Sequence, residues 1–233
     1  MQQSATRSSD LFPFGQAVSL PWAGYGFAYA PYCARPTPSL GTGAMTCEGT
    51  SLGDAQITGI SARLDRPIVL VGLMGVGKST VGRRLASVLS RDFFDADQEI
   101  EKAAQRSVSE IFEDFGEDYF RDGERRVIAR LVDENAGVIA TGGGAFVDPD
   151  TRALILDRAI AVWIDAELET LVERTSRRDT RPLLRNGDPE EILGRLLEER
   201  RPFYSQAQIR VVSSDGPHMR TVDAILKELN AWL

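Results

Sequence analysis

Three observations in the sequence predict an α/β domain of three α/β/α layers built on a five-stranded parallel sheet. Strand-like and helix-like patterns alternate from Asp65 to the C-terminus, the arrangement of strands joined by crossover helices. The first apolar run, Pro67-Ile68-Val69-Leu70-Val71, leads directly into Gly72-Leu73-Met74-Gly75-Val76-Gly77-Lys78-Ser79-Thr80. A strand, a glycine loop bearing Lys-Ser and a following helix form a phosphate-binding loop. A second glycine cluster, Gly142-Gly143-Gly144, follows the third apolar run, at the sheet edge where such folds bind ligands.

Each element has its own signal. Strands are expected at Pro67–Val71, Asp92–Phe94, Gly137–Ala140, Ile160–Ile164 and Gln208–Val212. After the loop, Val81, Leu85, Val88 and Leu89 repeat at helical spacing. Ser107-Val108-Ser109-Glu110 reads as a capping box opening a helix that carries Ile111 and Phe115, and Gly116 ends it. Glu117 to Glu134 reads as a longer helix with Phe120, Val127, Ile128 and Leu131 on its buried side. The last helix is expected from about Thr221 to Leu233. A phosphate loop after the first of five strands gives a P-loop kinase fold of the nucleoside-monophosphate-kinase type.

The loop fixes the first ligand class. Its glycines let the backbone N–H groups turn inward around phosphates. Lys78 is placed to reach the β- and γ-phosphates and Ser79 to offer its hydroxyl to Mg²⁺. Gly75, Val76, Gly77, Lys78, Ser79 and Thr80 are therefore the candidate ATP contacts, with Mg²⁺ as cofactor.

Composition excludes several alternatives. The chain has 233 residues and a net charge of −7, a poor match to the phosphate backbone of nucleic acid. No apolar stretch is long enough for a membrane helix. Cys33 and Cys47 are the only cysteines, so neither disulfides nor a Cys-based metal site support the domain, and a reducing cytoplasmic setting fits. The single histidine, His218, lies near the C-terminus, which leaves any proton transfer to a carboxylate. The protein is expected to be a monomer.

Residues 1–64 contrast with the rest. They hold no lysine, and their three arginines (Arg7, Arg35, Arg63) balance three acids (Asp10, Glu48, Asp54), so the −7 belongs to residues 65–233. Pro, Gly, Ser, Thr and Ala dominate, and the segment is expected to be a disordered, dispensable extension of a domain spanning 65–233. Met45 is read as a natural start; organelle targeting by the tail is the alternative. A chain starting at Met45 or Leu64 is expected to keep its activity.

Four further groups carry chemistry. Asp95 and Asp97, two apart after the second strand, are read as projecting to one side of extended chain at the ligand edge. One suits Mg²⁺ or its waters; the other suits the proton of an acceptor hydroxyl. Thr141 stands where P-loop enzymes commonly place a second metal-binding acid, which points the metal role to Ser79 and Asp95. Arg174, Arg177, Arg178, Arg181 and Arg185 crowd twelve residues of an acidic protein, and the stretch 175–189 reads as a mobile lid that brings an arginine to the phosphates. Arg121 and Arg200 lie on helices, where arginines are mostly surface residues.

Taken together and in order, these residues resemble the shikimate kinase family over 66–233: the phosphate loop, Asp95-Ala96-Asp97, Phe120-Arg121 with Glu124, Gly142-Gly143-Gly144, Arg181-Pro182-Leu183-Leu184, and Arg200 four residues before Tyr204. The resemblance implies transfer of the ATP γ-phosphoryl to the 3-hydroxyl of shikimate. It implies Asp97 as the group on the reacting hydroxyl, with Lys78 and Arg181 completing the catalytic set. It implies Arg121 and Arg200 on the substrate carboxylate, and Gly143 and Gly144 against the ring. Arg174 is implied near the adenine, with the stretch around Asp215-Gly216-Pro217 as the adenine loop. A gluconate kinase and a ligand-binding sensor without turnover are the competing readings.

Overall fold

The computed structural model describes residues 50–134, 137–176, 188–213 and 216–233. Strand β1 (Ile68–Val71) is apolar at every position and wholly buried, the signature of a strand covered on both faces. It lies at the centre of five parallel strands: β2 (Phe93–Asp95), β3 (Val138–Ala140), β4 (Ile160–Asp165) and β5 (Ile209–Val212) complete the order β2-β3-β1-β4-β5. Ile68 is in register with Val138 on one side and Ile160 on the other. All five expected strands are present, within a residue or two at their ends.

Helix α2 (Lys78–Val88) packs against β1, β2 and β3 and beside the last helix, α8 (His218–Trp232), which covers β5. Helices α3 (Ala96–Ala104) and α4 (Val108–Glu134) pack together, and α5 (Pro149–Arg158) rests on β4 and α4. Helices α6 (Leu168–Ser176) and α7 (Pro189–Tyr204) pair with each other. The helix boundary at Gly116 is real: α4 breaks there at φ 82°, ψ 176°, a conformation glycine adopts without steric penalty. The capping box also forms, with Ser107 N–H donating to Glu110 Oε2 and Glu110 N–H donating to Ser107 Oγ.

Four expectations need correction. Residues 54–63 are helical, forming α1 (Asp54–Arg63) in the segment read as structureless. Ile57, Ile60 and Leu64 are buried because α1 rests on α8; Ser51 donates to Asp223 and Arg63 to Asn230. Asp97 lies in the first turn of α3 rather than in extended chain. Phe93 and Phe94, which the sequence suggests as the buried end of the second strand, are half-buried because β2 is an edge strand. The two ends of the stretch read as a lid belong to helices: Thr175 and Ser176 close α6, and Asp188 caps α7 through Glu190 N–H. Arg177, Arg178, Arg181 and Arg185, residues 1–49, and Asp215 lie outside the described residues.

Candidate active site

The carboxyl ends of β1, β2 and β3 open into a cleft of about 870 Å³. Its nucleotide half is built by the turn from β1 into α2. Gly72 has φ 137°, and a Cβ there would lie 2.4 Å from the Ile164 carbonyl oxygen, so no other residue fits. Lys78 is buried, and its ammonium donates to the carbonyls of Gly72 (2.7 Å) and Leu73 (3.0 Å). Ser79 Oγ donates to Asp95 Oδ2 at 2.7 Å. Gly75, Gly77, Ser79 and Thr80 line the cleft; Val76 is buried behind it. Arg174 reaches from α6 to Ser213 Oγ (3.1 Å) and the Val76 carbonyl (3.4 Å), tying α6 to the loop and to the end of β5. Thr141 donates to the Leu70 carbonyl at 3.1 Å and is buried, so it fastens β3 to β1.

The other half is polar on one wall and aromatic on the other. Phe112 and Phe120 pack with ring centres 4.5 Å apart and planes tilted by 35°, and both line it. Opposite them, the Gly142–Gly144 turn meets two guanidinium groups. Arg121 lies so close to Gly144 that a Cβ there would be 2.4 Å from its Nη2. Arg200 Nη1 donates to the Gly143 carbonyl at 3.0 Å, and the Tyr204 hydroxyl donates to the same oxygen at 2.5 Å. Arg200 supports the turn from α7 without itself lining the cleft. Gly143 sits against the phosphate loop: a Cβ on it would be 3.4 Å from the Met74 nitrogen. The two halves therefore share one wall.

Charge is concentrated between them. Asp97 lines the cleft, and burial, followed by the neighbouring Asp95 charge, raises its pKa, while Lys78 opposes the shift. Glu124 is 1 % exposed and accepts from Arg121 Nη1 at 2.5 Å; Arg121 is also held by Glu117 at 3.1 Å. Burial nonetheless wins over the Arg121 charge and pushes Glu124 up to about 7; its Oε1 is buried with no partner among the described residues. Glu124, noted in the sequence only as part of the family pattern and given no role, carries its own signal: an acid inside the apolar stripe Phe120, Val127, Ile128, Leu131 is a buried charge that needs a reason. His218, at the start of α8, also lines the cleft; it directly follows the stretch around Asp215-Gly216-Pro217, where the family resemblance gave it no role of its own.

A parallel sheet of this order, with a phosphate loop after its first strand and an anion-matched pocket at the same edge, defines a small-molecule kinase of the P-loop class. Comparison with known proteins narrows the class. The family profile described as shikimate kinase matches residues 74–230. A shikimate kinase of Novosphingobium aromaticivorans is 55 % identical over 193 residues, covering 81 % of this chain and 100 % of the relative. One from Caulobacter vibrioides is 60 % identical over 164 residues, covering 70 % and 82 %. The solved structure of shikimate kinase from Acinetobacter baumannii in complex with shikimate superposes with a TM-score of 0.68 at 39 % identity, covering 72 % of this chain and 95 % of that one. The chain belongs to the shikimate kinase family. Among the described residues, no helix is long and apolar enough to cross a membrane.

Proposed function

We propose that the protein transfers the γ-phosphoryl group of ATP to the 3-hydroxyl of shikimate, giving shikimate 3-phosphate and ADP, in aromatic amino-acid biosynthesis. The observation that carries this is the shared wall: Lys78 and Ser79 line the same cleft as Asp97, Arg121 and Gly142–Gly144. The hydroxyl oxygen forms a bond to the γ-phosphorus, the bond to the β–γ bridging oxygen breaks, and ADP leaves with that electron pair.

Asp97 orients the acceptor hydroxyl and takes its proton. Its raised pKa makes it a stronger proton acceptor than an exposed aspartate. Arg121 receives the shikimate carboxylate, whose planar geometry matches guanidinium forks, and Arg200 joins it by turning from the Gly143 carbonyl. Gly143 and Gly144 leave room for the ring. Lys78 leaves the Gly72 and Leu73 carbonyls for the β- and γ-phosphates, and Arg174 borders the nucleoside. Arg181 belongs to the same proposal as the lid arginine on the phosphates. Because the transition state is loose, positioning and charge neutralisation supply most of the rate.

Mg²⁺ fits the residues present. Ser79 Oγ and Asp95 Oδ2, 2.7 Å apart, are hard oxygen donors at the nucleotide end of the cleft. No group of three or more metal-ligating side chains exists among the described residues, which suits an ion shared with phosphates and water rather than caged by protein. Ser79 directly and Asp95 through water would hold it, and it would neutralise phosphate charge.

A coupled ADP-release assay with shikimate, gluconate or no acceptor tests the reading. Stimulation by shikimate alone supports it; turnover with gluconate in place of shikimate, or none with either, overturns it. Asp97→Asn should lower kcat at least a hundredfold while ADP binding stays within about twofold, if its role is on the acceptor hydroxyl.

A further inference from the structure

The nucleotide half of the cleft contains one side chain with no role in the mechanism so far. His218 is the sole histidine of the chain. It opens α8 and lines the cleft beside Gly216 and Arg174. Its Cε1 and Nδ1 lie 3.3 and 3.5 Å from the position a Cβ on Gly77 would take, so one edge of the ring rests on the phosphate loop. Nδ1 is buried there without a hydrogen-bond partner among the described residues. Nε2 is not sealed off in this way.

A neutral imidazole carries its proton on one nitrogen and a lone pair on the other. A buried N–H with no acceptor is the costlier orphan. The positive charges of Arg174 and Arg84 act on the ring in the same sense: together with burial they lower its pKa. A second proton would add a third positive charge to that group and a buried donor without an acceptor. The buried nitrogen is therefore the one that keeps its lone pair, and the neutral ring carries its proton at Nε2.

We propose that His218 is a nucleotide-binding residue, which donates a hydrogen bond from neutral Nε2–H to an acceptor atom of the bound ATP or ADP. The proposal rests on the kinase reading only in taking a nucleotide as the occupant of this half of the cleft. It makes the first turn of α8 part of the nucleotide wall, joined to the phosphate loop through the ring edge against Gly77.

The sole histidine allows a direct test on the unaltered full chain. With ¹⁵N-histidine labelling, long-range ¹H–¹⁵N correlation reports one imidazole. The expected spectrum of the free protein at pH 7.5 is that of the Nε2–H tautomer. Addition of ADP should shift the Nε2 signals, and shikimate alone should leave them in place. An Nδ1–H tautomer, a charged ring, or no response to ADP overturns the proposal. Calorimetry then separates contact from packing. His218→Leu should weaken ADP binding by about fivefold to tenfold, the worth of one neutral hydrogen bond. His218→Gln, which keeps a donor, should bind within about twofold of the parent by the same reasoning. Equal losses in both variants, or none in the leucine variant, count against a donor role. Shikimate-stimulated ADP release by the parent protein stands or falls independently of these results, so failure of this proposal and failure of the kinase reading are told apart.

Discussion

Gly144→Ala is the sharpest probe of the acceptor half. The added methyl would lie 2.4 Å from Arg121 Nη2 and 2.8 Å from both Cζ and Nη1. Ordinary contact begins near 3.4 Å, so the guanidinium must retreat by 3.4 − 2.4, about 1 Å, because the turn cannot yield while Gly143 is held by Arg200 and Tyr204. A shift of that size removes the 2.5 Å geometry with Glu124 and displaces the group proposed to receive the shikimate carboxylate. Loss of one charge-assisted hydrogen bond is worth about 1.5–3 kcal/mol, or roughly 10- to 150-fold in shikimate KM. The ATP KM should change less than about twofold, since the nucleotide half is untouched. Gly143→Ala is the internal control: its methyl meets Met74 N at 3.4 Å and Arg200 Nη1 at 3.5 Å, ordinary contacts, so its shikimate KM should rise less than about threefold. Steady-state kinetics by coupled ADP release at saturating ATP reads both. Equal effects in the two variants, or an unchanged KM in Gly144→Ala at parental Tm, would refute the reasoning.

Other perturbations bear on neighbouring parts. Tyr204→Phe removes one of two donors to the Gly143 carbonyl and should raise shikimate KM by about two- to tenfold with ATP KM unchanged; an equal rise in both constants would argue for general loosening instead. Glu124 has a folded pKa of about 7 against 4.5 for the free side chain. The folded state thus keeps a proton that the unfolded chain releases, and the resulting stability is full below pH 4.5 and is lost as pH rises through 7. That difference in pKa corresponds to on the order of 3 kcal/mol. Glu124→Gln should flatten that decline between pH 5 and 8 in urea titrations, and parallel pH profiles for parent and variant would contradict it. Ile60→Ala empties a fully buried site on α1; a loss of at least about 2 kcal/mol should lower Tm by at least about 4 °C. An unchanged Tm would return residues 50–64 to the status of a dispensable tail.

The parts legible in sequence are those whose cause is local. The phosphate loop depends on glycines and Lys78 in one stretch, and the break in α4 depends on Gly116 and the Ser107–Glu110 box alone. What could not be read depends on partners distant in the chain. Helix α1 has only Ile57, Ile60 and Leu64 as an apolar stripe, too little for a short helix to stand in water, and its support arrives from α8, 172 residues on at the Ser51–Asp223 bond. Asp97 looked like part of a strand because the pattern does not reveal that Asp95 is the last extended residue and caps α3. Glu124 and His218 matter through what packs around them, which their spacing does not report.

The pairing of α1 with α8 sets an order of events in synthesis. These are the first and last described elements, and each fastens to the other through Ser51–Asp223 and Arg63–Asn230. On an emerging chain, Ile57 and Ile60 stay uncovered until the final helix has left the ribosome. That helix also brings His218 to the cleft. Closing the core and finishing the nucleotide wall are therefore a single late event. A chain cut short before α8 carries a complete phosphate loop yet leaves the sides of α1, α2 and β5 that α8 covers open to water.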